Sequence, residues 1–362
     1  MSHSSIKLCA PEVRMQTQIA KFLTILILSF APTVQANTPE PQQTQTSFPS
    51  FVLPDWFKVS FLDLSEDNLE AQEEGKQLVV FFSQEFCPYC KAMVEQNLTQ
   101  ASIRDTFERH FDVVSLDIWG AREVYGFDGE ETTEKAIAAA LDVQFTPTLM
   151  FFDAEGEVTL RLNGYVSPYD MTTALEYVSQ RHYTSMSIFD YLASQQRPDP
   201  TGKLNPQPFF VDPNAPSQGQ PRAVLFEQTA CPDCDNFHRC VLSLESVQTR
   251  FAPFHTTQLD MWSSEPVKTP DGRSMTARDF AKSLNIAYAP TLVLFDADGQ
   301  EVIRADSQLR NFHTEALLEF ASESVYLKDP SFQAYIEVRG DRLRANPNLR
   351  QGPTTRDVCP NL

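Results

Sequence analysis

The chain has 362 residues, enough for two or three domains that each bury a core of ordinary size. With 42% hydrophobic and 21% charged residues, its composition indicates a globular protein. A formal net charge of −19 argues against the basic face that nucleic-acid binding requires, so we expect no nucleic-acid partner.

The N-terminal region has the order of features of a secretory signal peptide. Lys21 precedes an apolar stretch from Phe22 to Phe30, and small residues follow up to Ala36. This stretch is too short to span a bilayer, although an uncleaved anchor remains an alternative. We therefore expect residues 1–36 to be a cleaved signal peptide, with Met15 as an alternative start, and residues 37–50 to be a flexible leader.

The next 146 positions, residues 51–196, form the first predicted domain. Its elements alternate in an order that predicts a central sheet covered by helices. The predicted elements are a helix over 64–76 that starts at Ser65, a buried strand over 77–82, a helix that opens at Pro88, a strand over 112–118, a helix over 132–143, strands over 148–153 and 157–162, and a helix over 168–183.

A proline-rich segment, residues 197–221, predicts a linker, and after it the pattern of the first domain returns. The tetrapeptide LDIW at 116–119 recurs as LDMW at 259–262, and TPTL at 146–149 recurs as APTL at 289–292. Both repeats lie 143 residues apart. The chain is therefore predicted to contain a domain duplication, with a second domain over 222–338 and a C-terminal tail over 339–362.

Each predicted domain carries one Cys-x-x-Cys motif directly after a buried strand: CPYC at 87–90 and CPDC at 231–234. At a helix start, unpaired backbone N–H groups and the helix dipole stabilise a thiolate at the first cysteine. The second cysteine, one turn later, can resolve the mixed disulfide that the first one forms. We therefore predict that Cys87 and Cys231 are nucleophiles and that Cys90 and Cys234 are resolving cysteines.

Other roles for these cysteines are alternatives on the sequence alone. The two motifs could share a zinc ion, or Cys231, Cys234, His238 and Cys240 could form a local zinc site. A permanently closed structural disulfide inside each motif is a further alternative.

The residues outside the motifs allow weaker predictions. Cys240 and Cys359 complete an even set of six cysteines beyond the signal peptide, so a disulfide that ties the tail to the second domain is one hypothesis, and two unpaired thiols are the other. Trp119 and Trp262 recur at a strand end, where core packing is the default interpretation and a role beside the dithiol the alternative.

The motif FFSQEFCPYCKAM, the segment LDIWG and the segment FTPTLMFFDAEG resemble the thioredoxin-like superfamily, and in particular periplasmic thioredoxins of the SoxW type. The resemblance covers nearly all of 51–196 and, more loosely, 209–338. It implies an α/β fold of two tandem thioredoxin-like domains, each a mixed sheet flanked by helices. It also implies that Pro147 and Pro290 are cis and pack beside the dithiols, and that the backbone of Thr146 and Ala289 pairs with an extended substrate segment.

Three departures from the family pattern distinguish the two copies or set them apart from cytoplasmic thioredoxins. The buried acid that cytoplasmic thioredoxins carry before the motif is replaced by Phe81 and Leu225. Gly164, at a position where the family needs close backbone approach, corresponds to Ser307. Asp233 and Asp235 place negative charge around the second motif, which predicts a higher thiol pKa at Cys231 and a more reducing potential there.

Taken together, the sequence predicts an exported, periplasmic thiol–disulfide oxidoreductase that reduces or reshuffles protein disulfides. Its partners would be protein disulfide substrates and a membrane thiol reductase that supplies electrons. No metal or organic cofactor is expected, because the cysteines are the redox group. A disulfide oxidase or isomerase, and a redox-silent interaction protein with the same fold, are the alternatives.

Overall fold

The computed structural model describes residues 51–195, 202–349 and 352–360. The predicted signal peptide and leader, residues 1–50, lie outside this range. Residues 51–195 form one four-stranded sheet with helices around it, here called domain 1. Residues 202–349 and 352–360 form a second sheet of the same topology with its own helices, here called domain 2.

In domain 1 the strand order is β2–β1–β5–β6, with β1 parallel to β2 and antiparallel to β5. All seven residues of β1, QLVVFFS, are buried, because helices cover both faces of this central strand. The elements are α1 (Leu64–Glu73), β1 (Gln77–Ser83), α2 (Pro88–Ala92), α3 (Ala101–His110), β2 (Phe111–Asp117), β3 (Glu123–Tyr125), β4 (Glu131–Thr133), α4 (Glu134–Ala140), β5 (Thr148–Phe152), β6 (Val158–Asn163), α5 (Pro168–Ser179) and α6 (Ile188–Ser194).

Domain 2 repeats this arrangement with the order β12–β11–β7–β8, in which β7 is the buried central strand. The helix that follows each motif continues into a short π-helical segment, Met93–Leu98 in domain 1 and His238–Leu242 in domain 2. The remaining elements are β7 (Arg222–Glu227), α7 (Pro232–Phe237), α8 (Glu245–Phe251), β8 (His255–Asp260), β9 (Pro266–Lys268), β10 (Ser274–Thr276), α9 (Ala277–Ser283), β11 (Thr291–Phe295), β12 (Glu301–Ala305), α10 (Asn311–Ser322), α11 (Phe332–Ala345) and α12 (Thr355–Val358).

Helix ends differ from the sequence predictions where a local cap determines them. Helix α1 begins at Leu64, because the side chain of Asp63, rather than that of Ser65, accepts the Glu66 N–H at 3.0 Å. Helix α4 is shorter than predicted, since Thr133 caps it and the residues just before it pair as strand β4. The helix predicted over 168–183 ends at Ser179, and a separate 3₁₀ turn follows.

The described part of the predicted linker packs on domain 2. The ring of Phe209 stacks on that of Phe251, with centroids 4.3 Å apart, and the Val211 N–H donates to the Thr256 carbonyl at 2.9 Å. Helix α11 runs from Phe332 to Ala345 and so continues across the predicted boundary at residue 338. Domain 2 therefore extends beyond both ends of the predicted second domain, residues 222–338.

Each domain contributes a side chain to the apolar core of the other. Phe145 of domain 1 belongs to the apolar cluster of domain 2, and its ring lies 5.3 Å from that of Phe332. Tyr288, the residue of domain 2 that corresponds to Phe145, belongs to the apolar cluster of domain 1. This reciprocal packing fixes the two motifs within one compact unit. Among the described residues, no helix is both long enough and apolar enough to cross a bilayer.

Candidate active site

The first motif lies at the start of α2, directly beyond the carboxyl end of β1. Cys87 is the N-cap residue and has an extended backbone, and Pro88 occupies the first turn of the helix, where its missing N–H costs nothing. The Sγ of Cys87 accepts the backbone N–H of Cys90 at 3.0 Å, and the two cysteines form a disulfide. The same N–H would stabilise a thiolate at Cys87 in the reduced state.

The second motif repeats this geometry at the start of α7. Cys231 is the N-cap residue, and its Sγ accepts the Cys234 N–H at 3.0 Å. These cysteines also form a disulfide, with a Cα–Cα distance of 5.2 Å, as in the first motif. Cys87 is only 2% exposed and Cys231 only 5% exposed, so the first cysteine of each motif is covered.

A loop that ends in a cis proline lies against each disulfide. The Thr146–Pro147 and Ala289–Pro290 peptide bonds are cis. The Sγ of Cys87 lies 3.5 Å from both the carbonyl oxygen and the Oγ1 of Thr146, and the Sγ of Cys231 lies 3.6 Å from the Ala289 carbonyl oxygen. The residues that the sequence identified in two distant segments of each domain are thus in contact.

Each motif is flanked by a glutamine that the sequence reasoning missed and by a tryptophan for which a role beside the dithiol was the alternative to core packing. The indole N–H of Trp119 donates to Gln84 Oε1 at 2.8 Å, and that of Trp262 donates to Gln228 Oε1 at 2.9 Å. Gln84 in turn donates to Thr146 Oγ1 at 2.8 Å. Both glutamines stand three residues before the first cysteine, and this repeat in the sequence was the available signal.

The residues beneath the two active-site helices differ. In domain 2, both carboxylate oxygens of Glu227 lie 3.0 Å from the Nε2 of His238, and Glu227 is 1% exposed. Gln258 also donates to this carboxylate, at 2.5 Å. Domain 2 therefore has a buried acid after all, two positions beyond Leu225 and on the same face of β7. The positions in domain 1 that correspond to Glu227 and His238 are Ser83 and Val94.

Domain 2 also covers the loop of domain 1 that would accept a substrate. At the start of α11, Gln333 donates to the Gln144 carbonyl at 2.8 Å and accepts from Gln84 Nε2 at 3.1 Å. The Phe332 N–H donates to Gln144 Oε1 at 2.9 Å. The first turn of α11 therefore lies beside Thr146, at the place predicted for an extended substrate segment.

Tyr89, the third residue of the first motif, is inserted into domain 2. Its hydroxyl accepts the Arg310 N–H at 2.8 Å and lies 3.3 Å from His313 Nδ1. Burial raises the pKa of Tyr89 to about 12 and lowers the pKa of His313 to about 4. Both groups are therefore uncharged at neutral pH, which suits a buried contact between domains.

Corresponding residues of the two domains meet at the ends of their last strands. Asn163 Nδ2 donates to Asp306 Oδ2 at 2.9 Å, and the two positions lie 143 residues apart in the sequence. Gly164 has a φ of +82°, and a Cβ at this position would collide with Ser307 Oγ. Because Gly164 has no side chain, the hydroxyl of Ser307, the corresponding residue of domain 2, can pack against its backbone.

A cavity of about 340 Å³ lies between the two motifs and takes its walls from both domains. Burial raises the pKa of Asp233 and of Asp306 in its wall. The residues that line the cavity include Pro88, Tyr89 and Tyr165 from domain 1, and Asp233, Pro290 and Asp306 from domain 2.

The remaining two cysteines form a third disulfide. Cys240, in the π-helical segment after α7, is bonded to Cys359 at the end of α12, and Arg239 donates to Cys359 Sγ at 3.0 Å. Cys240 and His238 thus have partners other than the zinc ion of the alternative local site. Pro360, the residue after Cys359, lines the cavity, so this disulfide holds part of the cavity wall in place.

Comparison with known proteins agrees with this geometry. A family model described as a thioredoxin-like domain matches the chain twice, over residues 64–179 and 213–322. No functionally curated protein matches the chain.

Three of the solved structures that are similar to this chain each correspond to about one of its domains. A thioredoxin-fold protein from Helicobacter pylori is 17% identical and covers 37% of this chain and 92% of its own, with a TM-score of 0.34. A thioredoxin from Thermus thermophilus is 26% identical and covers 32% of this chain and 83% of its own, with a TM-score of 0.27. The C-terminal domain of DsbD from Neisseria meningitidis in the oxidised form is 18% identical and covers 32% and 90%, with a TM-score of 0.24.

The two matches of the family model include both motifs, both cis-proline loops and both four-stranded sheets, and together they cover more than half of the sequence. The chain therefore belongs to the thioredoxin-like domain family, which it contains in two tandem copies.

Proposed function

We propose that the protein is an exported thiol–disulfide oxidoreductase that reduces or reshuffles protein disulfides. The observation that supports this most directly is the placement of Cys87 and Cys231 at helix N-caps. Each sulfur already accepts the N–H of the resolving cysteine at 3.0 Å. Such a site lowers the pKa of a thiol and so increases the fraction present as thiolate.

The reaction at domain 1 follows from this placement. The Cys87 thiolate attacks one sulfur of a substrate disulfide, which forms a mixed disulfide and releases the other substrate sulfur as a thiol. The Cys90 thiolate then attacks Cys87 Sγ, which closes the Cys87–Cys90 disulfide and releases the second substrate thiol. Two electrons pass to the substrate, and a membrane thiol reductase is the proposed donor that regenerates the dithiol.

Export to the periplasm rests on the signal-peptide pattern of residues 1–36 together with the pairing of all six cysteines beyond it. The SoxW type is the subfamily whose motifs the sequence resembles. N-terminal sequencing of the protein recovered from a periplasmic fraction tests this part. We expect the mature chain to begin after Ala36, and recovery of an intact N-terminus from the cytoplasm would contradict export.

The covered cysteines favour a redox-silent interaction protein as the second candidate. Cys87 cannot meet a protein disulfide while α11 lies over its loop, so reduction of proteins requires the domains to separate at this contact. A protein whose two domains never separate would offer only its outer surface to binding partners. The two candidates therefore differ in whether the dithiols ever react.

Insulin reduction, followed as turbidity in the presence of a thiol donor, tests the activity. We expect the wild type to be active and Cys87→Ser and Cys231→Ser each to lose the activity of one site. Cys90→Ser serves as the matched control, because it should retain the first attack and accumulate a mixed disulfide. An inactive wild type whose reduced thiols resist alkylation would overturn the proposed function in favour of the interaction protein.

The direction of electron flow is tested separately by thiol trapping in cells. A reduced Cys87–Cys90 pair at rest is expected for the reductase or isomerase. A fully oxidised pair would instead identify an oxidase.

A further inference from the structure

A chain of hydrogen bonds runs from Trp119 to the sulfur of Cys87. The indole N–H of Trp119 donates to Gln84 Oε1 at 2.8 Å, and Gln84 Nε2 donates to Thr146 Oγ1 at 2.8 Å. Thr146 Oγ1 lies 3.5 Å from Cys87 Sγ. Cys87 and Thr146 are buried, and Gln84 and Trp119 are half-buried, so the chain is partly shielded from water. Hydrogen bonds in such surroundings are stronger than those in water.

The orientation of the Gln84 amide follows from its partners. An indole nitrogen is only a donor, so the amide atom that faces Trp119 is the oxygen. The amide nitrogen then faces Thr146, and it has two hydrogens. One is donated to Thr146 Oγ1, and the other is donated to Gln333 Oε1 at 3.1 Å. The contact with α11 therefore does not compete with the bond to Thr146.

This arrangement directs the Thr146 hydroxyl toward the sulfur. A hydroxyl has one hydrogen, and because Thr146 Oγ1 accepts from Gln84, that hydrogen is left to donate elsewhere. A disulfide sulfur carries no hydrogen, so the hydroxyl is the donor in the contact with Cys87 Sγ. In the reduced motif, the Cys87 thiolate would accept this bond together with the Cys90 N–H. Hydrogen bonds to an ionised acceptor are roughly twice as strong as those between neutral groups.

Domain 2 has the first link of this chain but not the last. Its indole donates to Gln228 Oε1 at 2.9 Å, whereas Ala289, which corresponds to Thr146, has no hydroxyl. The carbonyl oxygen of Ala289 lies 3.6 Å from Cys231 Sγ, much as that of Thr146 lies beside the sulfur of domain 1. A carbonyl oxygen only accepts, so it cannot stabilise a thiolate. The two sulfurs therefore differ by one hydroxyl donor.

We propose that Gln84 is a positioning residue for Cys87. Because Trp119 fixes its amide, Gln84 keeps the hydrogen of the Thr146 hydroxyl directed at the Cys87 sulfur and so stabilises the thiolate of domain 1. The proposal rests on the proposed function only for what this thiolate does, since its stabilisation can be measured without a substrate. Gln228 occupies the same place in domain 2 but has no hydroxyl to direct.

The pH dependence of Cys87 alkylation in the reduced full-length chain tests the proposal, with each cysteine followed by peptide mass spectrometry. We expect Thr146→Val to raise the pKa of Cys87 by about one unit, a tenfold change in its ionisation constant, because one hydrogen bond to the thiolate is lost. Thr146→Ser retains the hydroxyl and should keep most of the wild-type value. Gln84→Met has a similar length but no donor, and it should raise the pKa by about half a unit.

A double variant distinguishes positioning from a direct effect. Since Gln84 acts through the hydroxyl, Gln84→Met should change the Cys87 pKa by less than about 0.3 units once Thr146→Val is present. These substitutions exchange neutral side chains for neutral ones, so a change in net charge does not contribute. A merely structural role would lower the midpoint of urea unfolding without producing this pattern of pKa values.

Domain 2 supplies the matched controls. Gln228→Met should leave the pKa of Cys231 unchanged, because no hydroxyl follows it in the chain of contacts. Ala289→Thr adds the missing hydroxyl, and Ala289 borders the interdomain cavity, which offers room for a larger side chain. We expect Ala289→Thr to lower the pKa of Cys231 by about half a unit, and to lower it less when Gln228→Met is also present.

Two results would overturn the proposal. One is a Cys87 pKa that Gln84→Met leaves unchanged, and the other is a rise of the same size with and without Thr146→Val. In either case, reduction of insulin by the wild type would leave the proposed function standing. A wild type that reduces no insulin, but whose Cys87 pKa follows the expected pattern, would overturn the proposed function and support the role of Gln84.

Discussion

The two dithiol sites share one backbone geometry but lie in different surroundings. In both, the first sulfur accepts an N–H at 3.0 Å and contacts a cis-proline loop. Beneath the helix, however, domain 1 has Ser83 and Val94 where domain 2 has the buried Glu227–His238 pair. The duplication thus preserved the helix N-cap geometry of the first cysteine and changed the polar groups beneath the helix.

The covering contacts differ as well. Gln333 of α11 is 7% exposed and makes two hydrogen bonds over the loop of domain 1. The corresponding residue, Asp190, pairs with Lys282 at the surface of domain 2, with side chains 38% and 51% exposed. Exposed ion pairs contribute little, so the two sites should open with different ease.

The largest difference we expect concerns Glu227. Replacing it with Ala leaves the buried Nε2 of His238 without its carboxylate partner, while Gln207 still contacts Nδ1 at 3.1 Å, and this should lower the free energy of unfolding by about 3 kcal/mol. Ser83→Ala in domain 1 should cost less than about 1 kcal/mol. Urea unfolding of the oxidised full chain measures both.

The double variant Glu227→Ser/His238→Val copies the residues of domain 1 and is the control. It should recover part of the lost stability, because neither polar group is then left alone. A single Glu227→Ala variant as stable as the wild type would show that the pair contributes nothing to domain 2.

A second difference lies at Glu134, which corresponds to Ala277 in domain 2. Burial alone would raise the pKa of Glu134, but hydrogen bonds from the Arg122 side chain and the Asp117 N–H hold it below its ordinary value. A lowered pKa stabilises the fold above the ordinary glutamate pKa of about 4.3, and this contribution is lost as the pH falls through the lowered value.

Glu134→Gln should therefore cost about 2 kcal/mol at pH 7, and this cost should shrink on acidification below about pH 4. Denaturant unfolding at several pH values measures it. A cost that stays constant down to pH 3 would mean that the charge of Glu134 is not what stabilises domain 1.

The third comparison concerns the cover over Cys87. Gln333→Ala removes the hydrogen bonds to Gln84 and Gln144, so the alkylation rate of Cys87 in the reduced protein should rise about fivefold to tenfold. Asp190→Ala, the matched change in the other domain, should alter the rate at Cys231 less than about twofold. Equal increases in the alkylation rates of Cys87 and Cys231 in the two variants would show that the two cysteines are covered equally.

The smallest expected effect is on the pKa of Cys231. Asp233 lies beside it and should raise its thiol pKa, so Asp233→Asn should lower that pKa by about half a unit. Asp235 accepts a hydrogen bond from Asn205 at 2.6 Å, and Asp235→Asn should therefore change the pKa less. The pH dependence of alkylation measures the pKa, and equilibration with glutathione tests whether the second site is the more reducing one.

Local patterns predicted the outline of the fold, and the family resemblance supplied the rest. The buried run before each motif, the proline within the motif and the repeat at a constant spacing predicted two copies of a central sheet covered by helices. The resemblance to the thioredoxin-like superfamily implied that each sheet is mixed, and the family matches confirm this fold. The sequence did not predict helix α3. The predicted boundaries of α1 and α4 differ from those observed, because side-chain caps at Asp63 and Thr133, rather than hydrophobic periodicity, determine where these two helices begin.

The surroundings of the sites were less accessible to sequence reasoning. Glu227 was missed because the family pattern places the buried acid at the position of Leu225, whereas the next residue on the same face of β7 can also carry it. The contacts of Tyr89 and Gln333 join residues more than 180 positions apart, and no local pattern encodes how two domains pack against each other.

The contact between Asn163 and Asp306 has a consequence for the symmetry of the molecule. Corresponding residues that touch lie close to a local twofold axis, as at an interface between identical subunits, where each would face its own copy. Two aspartates at that place would repel, and two asparagines would lose the charge-assisted bond. Only a pairing of the two different copies can place an amide against a carboxylate there. The two halves, expressed as separate chains, should therefore prefer each other to themselves.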